Sequence, residues 1–349
     1  MNSRPQRFAM GLRPCGNLFA KRKLHRERRR DLLPAAGGSG PPEDGPNGVF
    51  KAVAYCLLLD RLAGEVTGAL ARRGIRSVLL KGPAVAKWLY RDGSPRRYED
   101  IDLLVAPDQF REAEHVLSEH GFGLAGTTFH AHTWVRERDA AVVDLHWAII
   151  GVGARPEDAW NVLTGDTEAL RVGDAVVEVL STPARALHVA LHAVQHPWRE
   201  RQSLIDLERA LEQSPPDVWQ RAAELGRRLD AEPALAAGLR LLPAGRDLSE
   251  ALRLSETVSV DVALRAEKPP PLTLALEHLA STPGVSGKLR FGLDRVFLSP
   301  EKLRAASPLA RHGRVGLLMA YPARTLRMCA QAGPALAVWL GARRRARAR

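Results

Sequence analysis

Two aspartates one residue apart stand at the start of a strongly apolar segment, Tyr98-Glu99-Asp100-Ile101-Asp102-Leu103-Leu104-Val105. Side chains alternate between the two faces of a strand, so this spacing predicts that Asp100 and Asp102 share one face, with Cα atoms about 6.5–7 Å apart. Carboxylates that converge in this way can share divalent cations, and paired metal ions promote phosphoryl transfer in many enzymes. The alternative is an ordinary polar strand end, which would leave two like charges side by side.

A third carboxylate is predicted to join this pair. The segment Val142-Val143-Asp144-Leu145-His146-Trp147 reads as a strand beside the first one, with Val143 and Leu145 facing the core. Asp144 would then complete a metal-binding triad and could take the proton from an attacking hydroxyl. His146 could orient Asp144 or contact the substrate. The alternative for Asp144 is a strand-edge carboxylate bonded to the backbone.

The tripeptide Lys81-Gly82-Pro83 is predicted to lie where a buried strand meets a helix. Glycine lets a backbone come close to a ligand, and Lys81 could place a fixed positive charge against a triphosphate. Two further cations, Arg96 and Arg97, directly precede the aspartate pair. They could either clamp phosphates or neutralise the nearby carboxylates.

Two other polar groups occur on predicted helices. His188, His192 and His196 are spaced four residues apart, which is compatible with zinc. The segment lacks the glutamate of a zinc protease, and Pro197 follows the third histidine, so a histidine stripe at the junction between subdomains is favoured. Asp206 is interpreted as a helix-surface or interface residue.

The elements that must position these residues follow from periodicity. Apolar residues recur at helical spacing over 49–73, a buried strand is predicted at 75–80, and an amphipathic helix at 107–120. Segments 128–138 and 141–149 read as an antiparallel pair, and Glu168–Leu170 with Val176–Leu180 as a short hairpin. Helices are predicted from 183 onward. The order indicates an α+β fold in which a mixed sheet flanked by helices precedes a mainly helical subdomain.

Composition and charge limit the possible partners and the expected cellular location of the protein. The net charge of +12 is concentrated at the ends: residues 1–33 hold ten Lys/Arg against two acids, and residues 343–349 hold five arginines, whereas the body is nearly neutral. Such ends can contact phosphate backbones or anionic lipid, or can be solvated tails. The three cysteines are far apart and no apolar run reaches the ~18 residues of a membrane span, so a cytoplasmic protein is expected.

The predicted organisation has four parts. Residues 1–48 form a disordered basic tail with a Gly/Pro linker at 36–48, 49–182 the α/β domain, 183–342 the helical subdomain, and 343–349 a second basic tail.

Three motifs, taken in order, resemble a known family. They are Leu79-Leu80-Lys81-Gly82-Pro83-Ala84, then Arg97 followed by Asp100-Ile101-Asp102-Leu103-Leu104-Val105, and Val143-Asp144-Leu145-His146-Trp147. Together they are similar to the uncharacterised bacterial nucleotidyltransferase family, a branch of the DNA polymerase β-like nucleotidyltransferase superfamily. The resemblance covers roughly residues 50–240 and, more faintly, Ser299–Arg304.

The resemblance implies a mixed sheet followed by a helical region, and it implies roles for single residues. Asp100 and Asp102 would bind Mg²⁺ and the phosphates of the nucleotide, and Asp144 would act on the acceptor hydroxyl. Members of the superfamily usually carry Gly-Ser after the first strand. Here Lys81-Gly82-Pro83 stands at that place and removes a serine hydroxyl that often contacts a phosphate.

The sequence therefore predicts metal-dependent transfer of a nucleoside monophosphate from a nucleoside triphosphate to an unidentified acceptor hydroxyl. Asp100, Asp102 and Asp144 are the expected catalytic and metal-binding residues; Lys81, Gly82, Arg97 and His146 are expected at the nucleotide. Two alternatives stay open. One is a catalytically degenerate protein that binds a nucleotide or a partner, and the other is an accessory protein that acts through its basic ends on nucleic acid or a membrane surface.

Overall fold

A computed structural model describes most of the chain from residue 46 onward. The described residues are 46–128, 130–195, 201–255, 272–281, 284–296, 303–304, 307–347 and the single positions 260, 264, 270, 298 and 300. Most of the N-terminal basic segment and His196 lie outside these residues. Among the described residues, no helix combines the length and the apolar character needed to cross a lipid bilayer.

The seven strands found among the described residues form one sheet. They are β1 Ser77–Leu79, β2 Ile101–Val105, β3 Gly123–Thr127, β4 Ala131–Arg136, β5 Ala141–His146, β6 Thr167–Val172 and β7 Ala175–Leu180. Their order across the sheet is β3-β4-β5-β2-β1-β7-β6. The sheet is mixed, because β2 runs parallel to β5 and β1 parallel to β7, while the other pairs are antiparallel.

Helices precede, interrupt and follow the sheet. They are α1 Pro46–Arg72, α2 Pro83–Leu89, α3 Phe110–Glu119, α4 Pro156–Thr164, α5 Thr182–Gln195, α6 Arg201–Gln213, α7 Pro216–Arg228, α8 Glu232–Leu239, α9 Pro243–Ala251, α10 Thr273–Ser281, α11 Val285–Val296 and α12 Gly313–Arg347. The sequence thus gives a mixed sheet flanked by helices and followed by a helical region, and the predicted α+β fold class is confirmed.

Alternation along the strands creates two cores, one on each face of the sheet. On one face, Ile101 and Leu103 of β2 pack with α1 and α3. On the other face, Leu104 packs with α5, α7 and α8, where Leu187 and Trp219 are fully buried. The even-numbered side chains of β2, Asp102 included, therefore face the helices that follow the sheet. This arrangement fixes which face of the sheet carries the acidic residues.

Several predicted elements lie where the sequence indicated, with shifted ends. The strand predicted at 75–80 is β1, and the antiparallel pair predicted at 128–138 and 141–149 is β4 with β5. The hairpin around 168–180 is β6 with β7, and it joins the same sheet through β1. Strand β3 was not predicted, because Gly123-Leu124-Ala125-Gly126-Thr127 has little β propensity.

Both ends of the described chain are more helical than expected. Residues 46–48, assigned to the linker, form the first turn of α1, where proline is favoured because its missing N–H is not needed. Residues 343–347, assigned to a basic tail, continue α12. Alanine and arginine are both good helix formers, which explains the continuation. The boundary predicted at 182/183 falls after the first residue of α5, and one apolar core continues across it.

Candidate metal and nucleotide site

The register between β2 and β5 brings two of the predicted carboxylates together. In this parallel pair Asp102 lies opposite Asp144, and Leu104 lies opposite His146. Neighbouring strands are about 4.8 Å apart, so the two aspartates project side by side from one face of the sheet. The predicted adjacency of these two strands is confirmed. A pairing shifted by one residue would have turned Asp144 toward the opposite core.

Three side chains form a compact group that could hold a metal ion. One potential ligand atom from each of Asp102, Asp144 and His146 lies within 4.8 Å of the others. His146 belongs here because it follows Asp144 by two positions on β5 and shares its face. Asp100 is not part of this group. It lies in a bend before β2 begins at Ile101, so strand alternation does not extend to it, and its assignment as a metal ligand stays a prediction.

Lys81 enters the same group from the end of β1. Its Nζ lies 2.8 Å from Asp102 Oδ1, and both side chains are largely buried. His146 Nε2 lies 3.1 Å from the same oxygen, which it reaches as a donor. The backbone supports this position, since the Leu80 amide donates to the Asp102 carbonyl at 2.9 Å. One carboxylate oxygen of Asp102 therefore has two partners supplied by the protein.

Asp144 is less well satisfied than Asp102. Its Oδ1 atom is buried, and no hydrogen-bond partner reaches it from the described residues. Burial, followed by the negative charge of Asp102, raises the pKa of Asp144 above its ordinary value, although a hydrogen bond from Thr133 acts in the opposite direction. An unpaired buried carboxylate oxygen is costly, which indicates a position where a cation or a proton would be stabilised.

The charges of Lys81 and Asp102 stabilise each other. Burial alone would raise the pKa of Asp102, but the Lys81 charge and the hydrogen bonds from His146 and Lys81 outweigh it and lower that pKa. Burial would likewise lower the pKa of Lys81, but Asp102 and Asp100 raise it above its ordinary value. Asp102 is therefore ionised and Lys81 protonated at neutral pH.

Gly82 shapes the turn between β1 and α2. Its φ of 58° and ψ of −118° are conformations that residues with a β-carbon rarely adopt. A β-carbon there would come within 3.4 Å of the Tyr98 ring. The Tyr98 hydroxyl donates in turn to Asp60 of α1. Pro83 occupies the first turn of α2, as predicted. The glycine therefore allows the tight turn that aims Lys81 at Asp102.

The two arginines before β2 have different surroundings. Arg96 forms a buried ion pair with Asp206 of α6, and three of its N–H···O distances to that carboxylate lie between 2.7 and 3.1 Å. It also approaches the Gly82 carbonyl at 3.4 Å. Arg96 thus neutralises a carboxylate of the helical region, and Asp206 is an interface residue. Arg97 is exposed.

Tyr90 and Gln202 complete the polar contacts of Asp206. The Tyr90 hydroxyl donates to Asp206 at 2.7 Å, and Gln202 Nε2 lies 3.1 Å from the same carboxylate oxygen. Burial, followed by the hydrogen bond to Asp206, raises the pKa of Tyr90, so this hydroxyl keeps its proton. The network fastens the loop before β2 to α6.

The histidines of α5 line the other side of Lys81. His192 Nε2 lies 3.5 Å from Lys81 Nζ, and His188 is buried nearby. Burial, and then the charge of Lys81, lower the pKa of His188 to about 3, so this side chain is neutral at physiological pH. Of the predicted stripe, His188 and His192 lie between the sheet and the helices that follow it. His196, which the zinc interpretation requires, lies outside the described residues.

Residues that the sequence did not single out also approach the site. His130 packs its ring 5.5 Å from the ring of His146, and Thr133 pairs with Asp144 across β4 and β5. The hairpin register places both beside β5, so a correct register would have identified them. An open cleft of about 340 Å³ lies between α1, α2 and residues 91–98. None of the three grouped side chains lines this cleft.

The donor set fits a hard divalent cation. Carboxylate oxygens are the ligands that Mg²⁺ prefers, and the unpaired oxygen of Asp144 offers one such position. Imidazole is a less usual Mg²⁺ ligand. His146 already donates to Asp102, so it is better placed to orient that carboxylate.

This chain is similar to known proteins in its sequence profile and, only weakly, in its three-dimensional structure. No curated protein matches the sequence. Among solved structures, a solution structure of the antibiotic-resistance factor ANT(2'')-Ia has 16% identity and a TM-score of 0.37, over 52% of this chain and 95% of that one. A crystal structure of ANT(2")-Ia with adenylyl-2"-tobramycin has 17% identity and a TM-score of 0.37, over 48% and 97%.

A third solved structure is the antigenic nucleotidyltransferase-like protein from Paracoccidioides brasiliensis, with 19% identity and a TM-score of 0.36 over 57% of this chain and 92% of that one. At such low TM-scores these proteins carry no information about the chemistry of this chain. The sequence profile of the uncharacterised nucleotidyltransferases matches residues 50–244, more than half of the chain, and spans every residue of the acidic group. The chain therefore belongs to the uncharacterised nucleotidyltransferase family and is a transferase by that membership.

Proposed function

We propose that this protein transfers a nucleoside monophosphate from a nucleoside triphosphate to an acceptor hydroxyl, with Mg²⁺ as its metal ion. The observation that carries the proposal is the pairing of Asp102 and Asp144 on β2 and β5, with Asp144 Oδ1 unpartnered. Asp102 and Asp144 would hold the ion. When bound there, Mg²⁺ would neutralise phosphate charge and polarise the reacting phosphoryl group.

The residues of the chain supply the proton transfer. The acceptor oxygen forms a bond to the α-phosphorus, and the bond from that phosphorus to the bridging oxygen breaks. Pyrophosphate leaves with the electron pair. Asp144 is assigned to accept the hydroxyl proton as the general base.

Positive side chains would bind the triphosphate. Lys81 is protonated and already lies at the acidic group, so a short movement of its flexible stem would bring it to a phosphate oxygen. Arg97 is exposed beside β2 and is assigned to the phosphates, whereas Arg96 is held by Asp206. Gly82 contributes the turn, and Asp100 adds a further negative charge near Lys81.

A second candidate function is binding without turnover. The contacts that Lys81 and His146 make with Asp102 favour it, because they satisfy one oxygen of a carboxylate that an active enzyme would offer to the metal ion. A protein of this kind would bind a nucleoside triphosphate and release no pyrophosphate.

The test uses the full-length protein with α-labelled nucleoside triphosphates, MgCl₂ and a cell extract as the source of acceptor. Wild type should transfer label and release pyrophosphate. Asp102→Asn and Asp144→Asn should each lower the rate by about 100-fold or more. Asp174→Asn, the same change in the exposed β6–β7 turn, is the matched control and should leave the rate unchanged.

The outcomes separate the two candidates. Label transfer that survives Asp102→Asn and Asp144→Asn would exclude the proposed site. Mg²⁺-dependent nucleotide binding that those variants abolish, without pyrophosphate release in any extract, would favour binding without turnover.

A further inference from the structure

The C-terminal helix α12 presents apolar side chains on two opposite faces. One face is packed: Ala320 joins Leu303 and Ala310 in a small core, and Ala335 and Ala342 are buried. The Tyr321 hydroxyl donates to the Leu298 carbonyl at 2.8 Å, and Trp339 Nε1 donates to Glu277 at 2.6 Å. The aromatic residues of this helix are thus turned inward.

The opposite face carries an aliphatic stripe. Its members fall within about 100° of one another around the helix and are between 40% and 74% exposed: Val315, Leu318, Met319, Leu326, Leu336 and Leu340. At 1.5 Å per residue the stripe extends for about 38 Å along the helix. The stripe is interrupted between Leu326 and Leu336, but exposed apolar side chains gathered on one face of a helix mark an interaction site.

All charged side chains of α12 are positive. Between Gly313 and Arg347 the helix contains seven arginines and no aspartate, glutamate or lysine. Three of the arginines precede the last turns, and four lie at 343–347. A helix with an aliphatic face and exclusively positive charges combines the two attractions that hold a peripheral helix on an anionic bilayer.

Other occupants of the stripe fit the same features less well. The N-terminal segment 1–33 has a net charge of +8, so it would be repelled by the arginines of α12. A second copy of α12 would bring its own seven arginines next to these seven and would be repelled in the same way. Nucleic acid would satisfy the arginines but leave the aliphatic stripe in water, since single-stranded nucleic acid is bound largely by stacking on aromatic rings.

We propose that α12 is a peripheral membrane-binding helix that lies along the surface of a bilayer rich in anionic lipid. The aliphatic stripe enters the boundary between headgroups and acyl chains, and the exposed arginines Arg314 and Arg344 contact the lipid phosphates. Arg343 is instead held by Glu277 at 3.5 Å. This proposal is independent of the transferase chemistry, because it rests on no residue of the acidic group.

The test is flotation of the full-length protein with vesicles of phosphatidylcholine, alone or mixed with phosphatidylglycerol. Wild type should bind the anionic vesicles and leave the neutral ones, and high salt should release much of it. Leu318→Gln/Leu326→Gln should reduce binding by about fivefold or more. Leu124→Gln/Val176→Gln, which changes two exposed apolar residues of the sheet, is the matched control and should bind like wild type.

Charge is tested separately by Arg344→Gln/Arg345→Gln/Arg347→Gln, which should also lower binding to the anionic vesicles. Each variant is first compared with wild type by thermal unfolding, and an unchanged Tm keeps the binding result interpretable. Equal recovery with neutral and anionic vesicles would overturn the proposal, as would binding that the stripe variant retains. A dimer in sedimentation that the stripe variant abolishes would instead identify a second copy as the occupant.

Discussion

Lys81 Nζ and Asp102 Oδ1 are 2.8 Å apart, so an ammonium group of the protein already occupies one oxygen of the acidic group. Asp102, Asp144 and the nearby Asp100 supply up to three negative charges, of which Lys81 offsets one. A single divalent ion balances the remainder. We therefore expect this site to bind one ion, in contrast to the two ions bound by phosphoryl-transfer enzymes with two-metal sites.

Removing the Lys81 charge should strengthen metal binding in the absence of nucleotide. Lys81→Met frees an Asp102 oxygen and removes a repelling cation, so the affinity for Mn²⁺, used as a spectroscopic probe, should rise about tenfold. Electron paramagnetic resonance of free Mn²⁺ during a titration measures this. Lys87→Met, at an exposed position on α2, serves as the control. Unchanged or weaker Mn²⁺ binding by Lys81→Met would contradict the expectation.

Breaking the buried Arg96–Asp206 pair should destabilise the protein strongly. Both side chains are nearly inaccessible, so Asp206→Asn would leave a buried guanidinium without its charge partner, at a cost of about 3 kcal/mol. Arg73→Met, which breaks an exposed pair with Glu112 and Glu119, should cost less than about 1 kcal/mol. Urea unfolding measures the loss in free energy of unfolding for both variants. Similar losses would argue that the buried Arg96–Asp206 pair stabilises the protein no more than an exposed pair does.

The turn at Gly82 should not accept a side chain. Gly82→Ala should lower the free energy of unfolding by about 1–3 kcal/mol, because φ of 58° with ψ of −118° strains any residue with a β-carbon. Gly68→Ala should have the opposite sign, since Gly68 lies inside α1 and its added methyl would meet only the end of Arg72. Thermal unfolding distinguishes them. A neutral Gly82→Ala would mean that the turn relaxes readily.

His188 should make stability depend on pH. Its pKa is about 3 in the folded protein and near 6.5 when unfolded, so between these values the unfolded state binds the additional proton. The free energy of unfolding should therefore fall as the pH drops below about 6.5, by up to about 1.4 kcal/mol per pH unit from this group. His188→Gln should have a shallower slope than wild type between pH 7 and 5 in denaturant titrations, and an unchanged slope would contradict the prediction.

The fold could be predicted largely because its strands carry strong local signals. Ile101-Asp102-Leu103-Leu104-Val105 and Val142-Val143-Asp144-Leu145 are apolar enough to be recognised as buried strands, and the glycines at 74 and 121 mark ends of helices. The pairing of Asp102 with Asp144 followed from placing those strands side by side. Strand β3 escaped prediction because its residues are small and its place in the sheet depends on β4.

The parts of the site that depend on tertiary contacts could not be predicted. Nothing local connects Arg96 with Asp206, which lies 110 residues later on another element. Asp100 and Asp102 were expected to act alike, but β2 begins at Ile101, between them. Strand alternation therefore places Asp102 in the group with Asp144 and does not extend to Asp100. The contact of Lys81 with Asp102 likewise depends on the turn at Gly82, whose dihedral angles the sequence does not specify.

Asp102 and His146 are separated by 44 residues, and β5 reaches β2 only after the chain has passed through α3 and the strands β3 and β4. During synthesis on the ribosome, a chain that has not yet released β5 therefore contains Asp102 but neither Asp144 nor His146. The affinity for a cation would therefore appear only when β5 has paired with β2. Cation binding by nascent or truncated chains would report the moment at which these two strands pair.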